Sequence, residues 1–190
     1  MKLHRLLWLA ALASLAYADP AAAQTRFIAF SGGATYGDLC CGAVNSDHRW
    51  GGTAGLMVGM RNWNYAVFTL EGNWVQKGGG TTRVDYIDVP FLIGGTYGSH
   101  SGGIRARVYT GIGIAIPISC STESLLVNCD RKKSPEWTWP FGVQVGKWSP
   151  SGLLVAVDAR YSLGLSDAFE NFIAHNRSWQ FRLVVGKQIG

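Results

Sequence analysis

The sequence has few charged residues and, beyond residue 23, no long apolar run. Asp, Glu, Lys and Arg together make up 15% of the chain, and the basic residues are scattered rather than clustered. A nucleic-acid-binding protein concentrates its basic residues in a patch or stripe, so this class is not expected. A membrane-spanning helix needs roughly 18 or more consecutive apolar residues, so a helical membrane protein is not expected either.

The sequence also lacks the motifs of the common catalytic and metal-binding classes. It contains no G-x-S-x-G, H-E-x-x-H or C-x-x-C, and Gly78 to Gly80 are not followed by the Lys-Ser/Thr pair of a phosphate-binding loop. The histidines beyond residue 23, which are His48, His100 and His175, fall in expected connectors, where a lone histidine is usually solvated. We therefore expect no enzyme activity, no metal site and no cofactor.

The first 23 residues are typical of a secretory signal peptide. A basic start precedes the apolar stretch Leu6 to Ala16, and Ala21 to Ala23 provide a small-residue cleavage site, with Ala16 to Ala18 as the alternative. The apolar stretch is too short for a membrane anchor. We expect residues 1–23 to be removed as a signal peptide and residues 24–190 to form one exported domain.

Beyond residue 25 the sequence alternates between apolar residues and polar or small ones. In the stretch from Ile104 to Ile116, for example, Val108 and Ile112 share one parity, and Arg105 and Arg107 share the other. Period two is typical of β-strands, and no segment keeps the three- and four-residue spacing of a helix. The eight alternating segments are Arg26–Tyr36, Thr53–Arg61, Tyr65–Lys77, Arg83–Gly94, Ile104–Ile116, Trp137–Gly146, Leu153–Leu163 and Trp179–Gly186.

The connectors between these segments alternate in length. The short ones, rich in turn-forming residues, are Asn62–Asn64, Gly98–Gly102 and Ser149–Gly152. The others, mostly longer, are Gly37–Gly52, Gly78–Thr82, Pro117–Pro135 and Leu165–Arg177. An up-and-down meander places short turns at one end and long loops at the other, as in outer-membrane barrels. We therefore predict an all-β fold, an eight-stranded antiparallel up-and-down transmembrane β-barrel.

The polar face of the predicted strands carries nearly balanced charges. Three acidic and four basic residues lie on it: Glu71, Asp88, Arg105, Arg107, Asp158, Arg160 and Arg182. Eight strands enclose an interior only wide enough for side chains to fill, and an unpaired buried charge there would cost several kcal/mol. These residues are therefore predicted to form a salt-bridged network that fills the lumen.

The apolar face combines branched aliphatic residues with aromatic residues near the strand ends. In a membrane barrel this face contacts lipid, and the aromatic residues form girdles at the membrane interfaces. The candidates are Tyr36, Trp74, Trp137, Trp139, Tyr161 and Trp179. Two alternatives remain open. One is a soluble lipocalin-like barrel that fills its interior with the aliphatic residues and binds a small apolar ligand; the other is a narrow solute channel.

All four cysteines, Cys40, Cys41, Cys120 and Cys129, lie in connectors that the meander places at the same end of the barrel. An even number of cysteines in an exported chain favours disulfides. Two arrangements are open: a local Cys120–Cys129 bridge, or a pair of bridges between the first and third outer loops. A bond between the adjacent Cys40 and Cys41 is disfavoured. Cys40, Cys41 and His48 match no metal-ligand spacing.

Three segments resemble motifs of the PorT-like family of outer-membrane β-barrel proteins. They are Leu70–Gly78 (LEGNWVQKG), Tyr86–Ile93 (YIDVPFLI) and Asp158–Leu165 (DARYSLGL), similar to the third, fourth and penultimate strands of that family. The resemblance implies an eight-stranded outer-membrane barrel, in a family most of whose members have no assigned chemistry. Pro90, inside the second motif, removes a ladder donor, so we expect a local bulge there.

Together these patterns predict a protein of the bacterial outer membrane with a filled, salt-bridged lumen. Its expected role is structural or in surface interactions, without catalysis. The expected partners are the lipid bilayer and a protein of the envelope or the exterior that binds the outer loops. We expect a monomer that binds no nucleic acid.

Overall fold

The computed structural model of the protein describes residues 25–40, 47–62, 65–98, 103–123, 129–131, 135–168 and 175–189. Within these ranges no helix is long and apolar enough to cross a membrane. The predicted signal peptide lies outside the described residues, so its presence and its removal stay predictions.

The described chain forms eight β-strands and one 3-10 turn. The strands are β1 Thr25–Cys40, β2 Arg49–Asn62, β3 Ala66–Gly79, β4 Thr82–Gly98, β5 Ile104–Ser121, β6 Glu136–Trp148, β7 Leu153–Gly164 and β8 His175–Ile189. The 3-10 turn, Cys129–Arg131, lies between β5 and β6. Each strand pairs antiparallel with the next, and β8 pairs with β1, so the sheet closes. This confirms the predicted eight-stranded antiparallel up-and-down barrel.

The two ends of the barrel differ in their connectors. We call the end that carries the β1–β2, β3–β4, β5–β6 and β7–β8 connectors the loop end, and the opposite end the turn end. The β6–β7 connector at the turn end is a tight turn in which Gly152 has a φ of +79°, a left-handed conformation that glycine adopts without strain. Three connectors at the loop end are longer than those at the turn end, as the sequence predicts.

The strands are staggered around the barrel. Pairing leads from Arg26 on β1 through one residue of each strand and returns to β1 at Tyr36, ten residues further along. The intermediate residues on this path are Met60, Phe68, Ile93, Thr110, Phe141, Tyr161 and Trp179. The stagger tilts the strands and leaves an interior that side chains can fill. It also brings residues of non-adjacent strands to the same level of the lumen.

The strands extend further at the loop end than the sequence predicts. β1 continues to Cys40 and β5 to Ser121, and the predicted connector Gly78–Thr82 is reduced to a two-residue turn. At this end an apolar layer lines the lumen, so apolar residues lie on both faces of the strands. The alternation of apolar and polar residues that predicts a strand is therefore lost there. The buried members of this layer are Leu39, Val84, Tyr86, Ala115 and Ala168.

Pro90 lies inside β4, but the irregularity in that strand falls elsewhere. The register between β4 and β5 shifts between Asp85 and Tyr86, so the bulge expected at Pro90 is not where the sequence places it. On the β3 side, the pairing of β4 stops at Phe91 and resumes at Asp88. This gap in the ladder lies at the proline, which has no N–H to donate.

Side chains alternate between the lumen and the outer surface along the strands. The outward-facing Ile112 and Val157 are 51% and 62% exposed, whereas the lumen-facing Asp158 and Arg160 are 4% and 1% exposed. The barrel is therefore ionic in its centre and apolar on its outside. A water-soluble barrel has the opposite arrangement, because its aliphatic residues form the core.

Candidate functional site

Four charged side chains meet in the middle of the lumen, and we call them the central ion network: Glu71, Asp158, Arg160 and Arg182. Arg182 Nη1 lies 3.0 Å from Glu71 Oε2, and its Nη2 lies 2.7 Å from Asp158 Oδ1. Arg160 Nη2 lies 2.7 Å from Glu71 Oε1. With two carboxylates and two guanidinium groups, the network is electrically neutral.

Two neutral side chains complete the hydrogen bonds of this network. The Tyr109 hydroxyl donates to Asp158 Oδ2 at 2.7 Å and accepts from Arg160 Nε at 3.1 Å. The Arg160 guanidinium also lies over the Tyr109 ring, 5.2 Å from its centroid. Asn73 Nδ2 donates to Glu71 Oε2 at 3.0 Å. Hydrogen bonds to ionised groups are among the strongest in proteins, so these contacts hold the four charged groups in place.

The central ion network joins opposite walls of the barrel. Glu71 on β3 contacts Arg182 on β8, 111 residues later in the sequence, and Arg160 on β7, 89 residues later. β3 pairs with neither strand in the sheet, so these bonds cross the lumen. Burying a charge without a partner costs several kcal/mol, which makes each member dependent on the others. The network therefore braces the barrel from within.

A second polar group lies in the lumen on the loop-end side of the network. Lys77 Nζ is 3.5 Å from Asp88 Oδ2. Asn176 Nδ2 donates at 2.9 Å both to the Tyr86 hydroxyl and to Glu136 Oε2. These contacts link β3 with β4 and β6 with β8, and continue the polar filling of the lumen toward the loop end.

An apolar layer lies beyond the central ion network at the turn end, and at the loop end an apolar layer lies among the members of the second polar group. The loop-end layer is the cluster that contains Leu39 and Ala115. In the turn-end layer Trp148 packs edge-on against Phe27, with ring centroids 5.7 Å apart. The buried members of the turn-end layer are Phe27, Ala29, Met57, Val67, Leu154, Ala156 and Val184. A neutral ion network between two apolar layers is an arrangement that closes a lumen to ions and water.

Each of the three carboxylates that the sequence predicts for the lumen has a partner in these contacts. Glu71 is bound by two arginines, Asp158 by an arginine and a tyrosine, and Asp88 by Lys77. In the described part of the chain, no group of three or more His, Cys, Asp or Glu residues could hold a metal ion. The contacts of these three carboxylates fit a role in bracing and closing the barrel.

The structure brings together four of the seven charged residues that the sequence predicts for the lumen. Asp88 pairs with Lys77 instead, and Arg107 donates from Nη2 to Thr69 Oγ1 at 2.9 Å. Arg105 lines a cavity at the turn end. The partners that the sequence analysis omitted, although they share the polar parity, are Asn73, Lys77 and Tyr109.

The aromatic residues predicted for the interfaces, Tyr36, Trp74, Trp137, Trp139, Tyr161 and Trp179, lie in the loop-end halves of their strands, on the outward parity. A chain of ring contacts with centroids 5.1 to 6.2 Å apart joins Trp139, Phe141, Tyr161, Trp179 and Phe181. Among the described residues of the turn-end connectors and strand ends, Tyr65 and Tyr97 are exposed, and neither is among the six predicted interface residues. The six candidates thus form one band of the outer surface rather than two.

A disulfide joins Cys120 near the end of β5 to Cys129 at the start of the 3-10 turn. This confirms the local bridge and excludes bridges from these two cysteines to the first loop. Cys40 and Cys120 lie in strands, so the expectation that all four cysteines occupy loops is wrong, because β1 and β5 extend beyond their predicted ends. Cys41 lies outside the described residues, so the expectation that Cys40 and Cys41 are not bonded to each other stays a prediction.

We expect a non-reduced protease digest of the exported protein to contain two peptides linked through Cys120 and Cys129. An oxidising compartment favours this bond, and the two Cα atoms are already 5.6 Å apart, within the range that a disulfide spans. Mass spectrometry before and after reduction measures the linkage. Four free thiols in the non-reduced digest would contradict it.

No protein-family model matches this chain, and no curated protein matches it in sequence. Solved structures do match it. The N-terminal β-barrel domain of OprF from Pseudomonas aeruginosa has a TM-score of 0.54 at 11% identity, covering 86% of this chain and 97% of that chain. The outer membrane protein OprG from Pseudomonas aeruginosa has a TM-score of 0.54 at 11% identity, covering 87% of this chain and 96% of that chain. The chain therefore shares the barrel fold of these proteins.

Proposed function

We propose that this protein is a bacterial outer-membrane β-barrel with a closed, salt-bridged lumen and a structural or surface-interaction role without catalysis. The observation that carries the proposal is the sidedness of the barrel. Thirty large apolar side chains are exposed among the described residues, while the charged groups of the central ion network are buried. Soluble monomers rarely expose apolar patches beyond a few hundred Å². An apolar belt around the whole barrel is a surface that lipid would cover.

The height of the apolar belt supports this proposal. On β8 the outward residues from Trp179 to Val185 are apolar, and the next outward residue is Lys187. Trp179 and Val185 are six steps, or roughly 20 Å, apart along the strand. The charged outward residues that bound this stretch, Arg177 and Lys187, are roughly 33 Å apart along the strand, or roughly 25 Å along the barrel axis at a tilt of about 40°. Outer-membrane barrels have an apolar band about 25 Å tall. Arg26, Lys147 and Lys187, exposed at the turn end, suit the headgroup region.

A soluble barrel that binds an apolar ligand fits these observations less well. Such a barrel would turn its aliphatic residues inward and hold the ligand among them. Here the centre of the interior is occupied by the central ion network, and Val155 and Val157 face outward. A narrow solute channel would need a path past Arg160 and Arg182, both nearly fully buried in ion pairs. The closed barrel is the interpretation that uses all of these features.

We place the turn end of the barrel toward the periplasm and the loop end toward the exterior. Outer-membrane barrels have short periplasmic turns and longer outer loops, and this chain has the same asymmetry. The predicted signal peptide would direct export. The resemblance to the PorT-like family, and the fold shared with OprG, which is named as an outer membrane protein, support the same location.

The loop end is where we place interactions with a protein partner. Trp50 is 63% exposed, and its ring lies 4.8 Å from that of Tyr36, which stacks on His48 at 4.8 Å. Beside them Arg177 Nε donates to Asp38 Oδ1 at 3.1 Å. Exposed aromatic and arginine side chains are enriched at protein interfaces. We propose a monomeric barrel that presents this surface to a partner.

Membrane partitioning of the full-length protein tests the proposal. Expressed in a Gram-negative host, the protein is expected in the outer-membrane fraction, to resist alkaline extraction, and to dissolve only with detergent. Protease added to intact cells should cut at the loop end and leave the barrel protected. A monomer that stays in solution without detergent would overturn the membrane proposal and favour the soluble barrel.

The closed lumen predicts that the purified protein does not conduct ions. After reconstitution into planar lipid bilayers, we expect current traces that match those of protein-free bilayers, because Arg160 and Arg182 cross the lumen in ion pairs. Reproducible unitary conductance steps from the unmodified protein would contradict the closed lumen and favour the narrow-channel alternative.

A further inference from the structure

The lumen ends in a small, partly open cavity at the turn end, which we call the arginine cavity. Its volume is about 40 Å³, and three arginines line it: Arg61 on β2, and Arg105 and Arg107 on β5. Phe27 and Leu154 of the turn-end apolar layer form part of its wall. Cationic groups therefore line a space whose remaining wall is largely apolar.

The sequence supplies no acidic residue to this end of the barrel. The stretches that lie on the turn-end side of the central ion network, residues 24–33, 55–69, 92–112, 142–157 and 183–190, contain no Asp or Glu. Their six Lys and Arg residues are Arg26, Arg61, Arg105, Arg107, Lys147 and Lys187. The turn end thus carries a strong positive charge, in contrast to the neutral central ion network. The charges of the central ion network are paired with one another, whereas no Asp or Glu side chain is available to the bases within these stretches.

Arg107 is the most buried member of the arginine cavity. It is only 6% exposed, and its Nη2 donates to the neutral hydroxyl of Thr69 at 2.9 Å. Its Nε is buried and has no hydrogen-bond partner among the described residues. Arg61 is similar: its Nη2 donates to Thr25 Oγ1 at 3.2 Å, and its buried Nε also has no partner in the part of the chain that the structure describes. Both guanidinium groups have donors to spare, and the hydroxyl groups to which they donate are neutral. Arg107 also lies over the ring of Tyr109, 4.9 Å from its centroid, and so borders the central ion network.

We propose that the arginine cavity binds a phosphate group. Guanidinium groups recognise phosphate oxygens through paired N–H donors, and converging arginines are a common way to hold such a group. The cavity holds about three water-sized groups, at roughly 10–15 Å³ each, which suits one tetrahedral oxyanion whose outer oxygen faces the opening. An anion in the cavity would accept from the buried Nε of Arg107 and place a negative charge in direct contact with it. The site rests on the barrel geometry alone and does not require the membrane location.

The phosphate group could belong to a free anion or to a lipid headgroup, and the barrel wall favours the free anion. Arg61, Arg105 and Arg107 line the inside of the barrel, whereas Arg26 and Lys187 point outward. A phospholipid beside the barrel reaches the outward bases first. The arginine cavity opens at the turn end, toward solution.

Calorimetric titration of the folded protein with inorganic phosphate tests the site. The protein is held in a maltoside detergent, which contains no phosphate, with chloride as the background anion. We expect saturable binding, weakened at least about tenfold by Arg107→Gln and by Arg61→Gln, because each loses a charged hydrogen bond. Lys187→Gln, which removes an outward charge from the same end, should change the Kd less than about twofold.

Folding and the source of the phosphate are checked in parallel arms. The heat-dependent shift in gel mobility shows whether each variant has folded. If Arg107→Gln does not fold, the binding comparison is made with Arg61→Gln alone, because Arg61 lies at the partly exposed edge of the cavity. Phosphatidylglycerol that copurifies with the unmodified protein and is lost in both arginine variants would identify the phosphate as a headgroup and still support the site. Absence of saturable phosphate binding with no such lipid, or binding unchanged in both arginine variants, would overturn the proposal.

Discussion

Replacement of Arg182 by leucine is expected to destabilise the folded barrel by about 3–5 kcal/mol. Arg182 is 3% exposed and binds both carboxylates of the central ion network, Glu71 and Asp158. Without it, two carboxylates share Arg160, and one negative charge stays buried without a counterpart. Urea titration of the barrel in lipid vesicles, followed by tryptophan fluorescence, measures the change in the free energy of unfolding.

Two further variants separate charge imbalance from loss of packing. Arg26→Gln, which removes an exposed base at the turn end, should change the free energy of unfolding by less than about 0.5 kcal/mol. The double variant Arg182→Leu with Glu71→Gln leaves one acid and one base in the network, so it should cost less than the sum of the two single variants. If Arg182→Leu costs less than about 1 kcal/mol, the network does not brace the barrel.

Introduction of arginine at Val157 is expected to destabilise the barrel in lipid by about 2–4 kcal/mol. Val157 is 62% exposed and lies between Val145 on β6 and Leu183 on β8, within the apolar belt. If lipid covers this surface, the variant places a charge among acyl chains. On a surface that faces water, the same change would cost no more than about 0.5 kcal/mol.

The measurement for Val157→Arg is the same vesicle-based urea titration, with Val157→Leu as the control for size and backbone. Val157→Leu keeps the surface apolar and should be close to neutral. Lys187→Arg, at the end of the belt, should also be neutral, because this position already carries a charge. An unfolding free energy unaffected by Val157→Arg would show that the outer surface meets water, and would overturn the membrane proposal but not the barrel fold.

The faces of the strands follow from local sequence, as β7 shows. The alternation predicts a strand over Leu153–Leu163, and the structure has one over Leu153–Gly164. Because successive side chains of a strand point to opposite sides, parity alone separates Val155 and Val157 from Asp158 and Arg160. No knowledge of the neighbouring strands is needed for this assignment.

The limits of the strands and the position of the register shift are harder to predict from the sequence. At the loop end, apolar residues such as Leu39 and Val84 line the lumen, so the contrast between the two faces that marks a strand disappears. For this reason the sequence predicts loops at the cysteines, although Cys120 lies in β5. Likewise, a proline suggests a bulge at its own position, but a closed ladder can shift its register elsewhere, here between Asp85 and Tyr86.

The sequence by itself determined how many strands the chain forms, which face of each is apolar and where the short turns of the turn end fall. The alternation that decides these features relates residues only two positions apart. Only the tertiary structure decided which lumen charges meet. Glu71 reaches Arg160 and Arg182 because the ten-residue stagger of the closed sheet brings β3, β7 and β8 to one level. In the same closed sheet Asp88 lies beside Lys77, and Arg107 lies toward the turn end. Partners across a lumen depend on closure of the whole barrel, which no local pattern encodes.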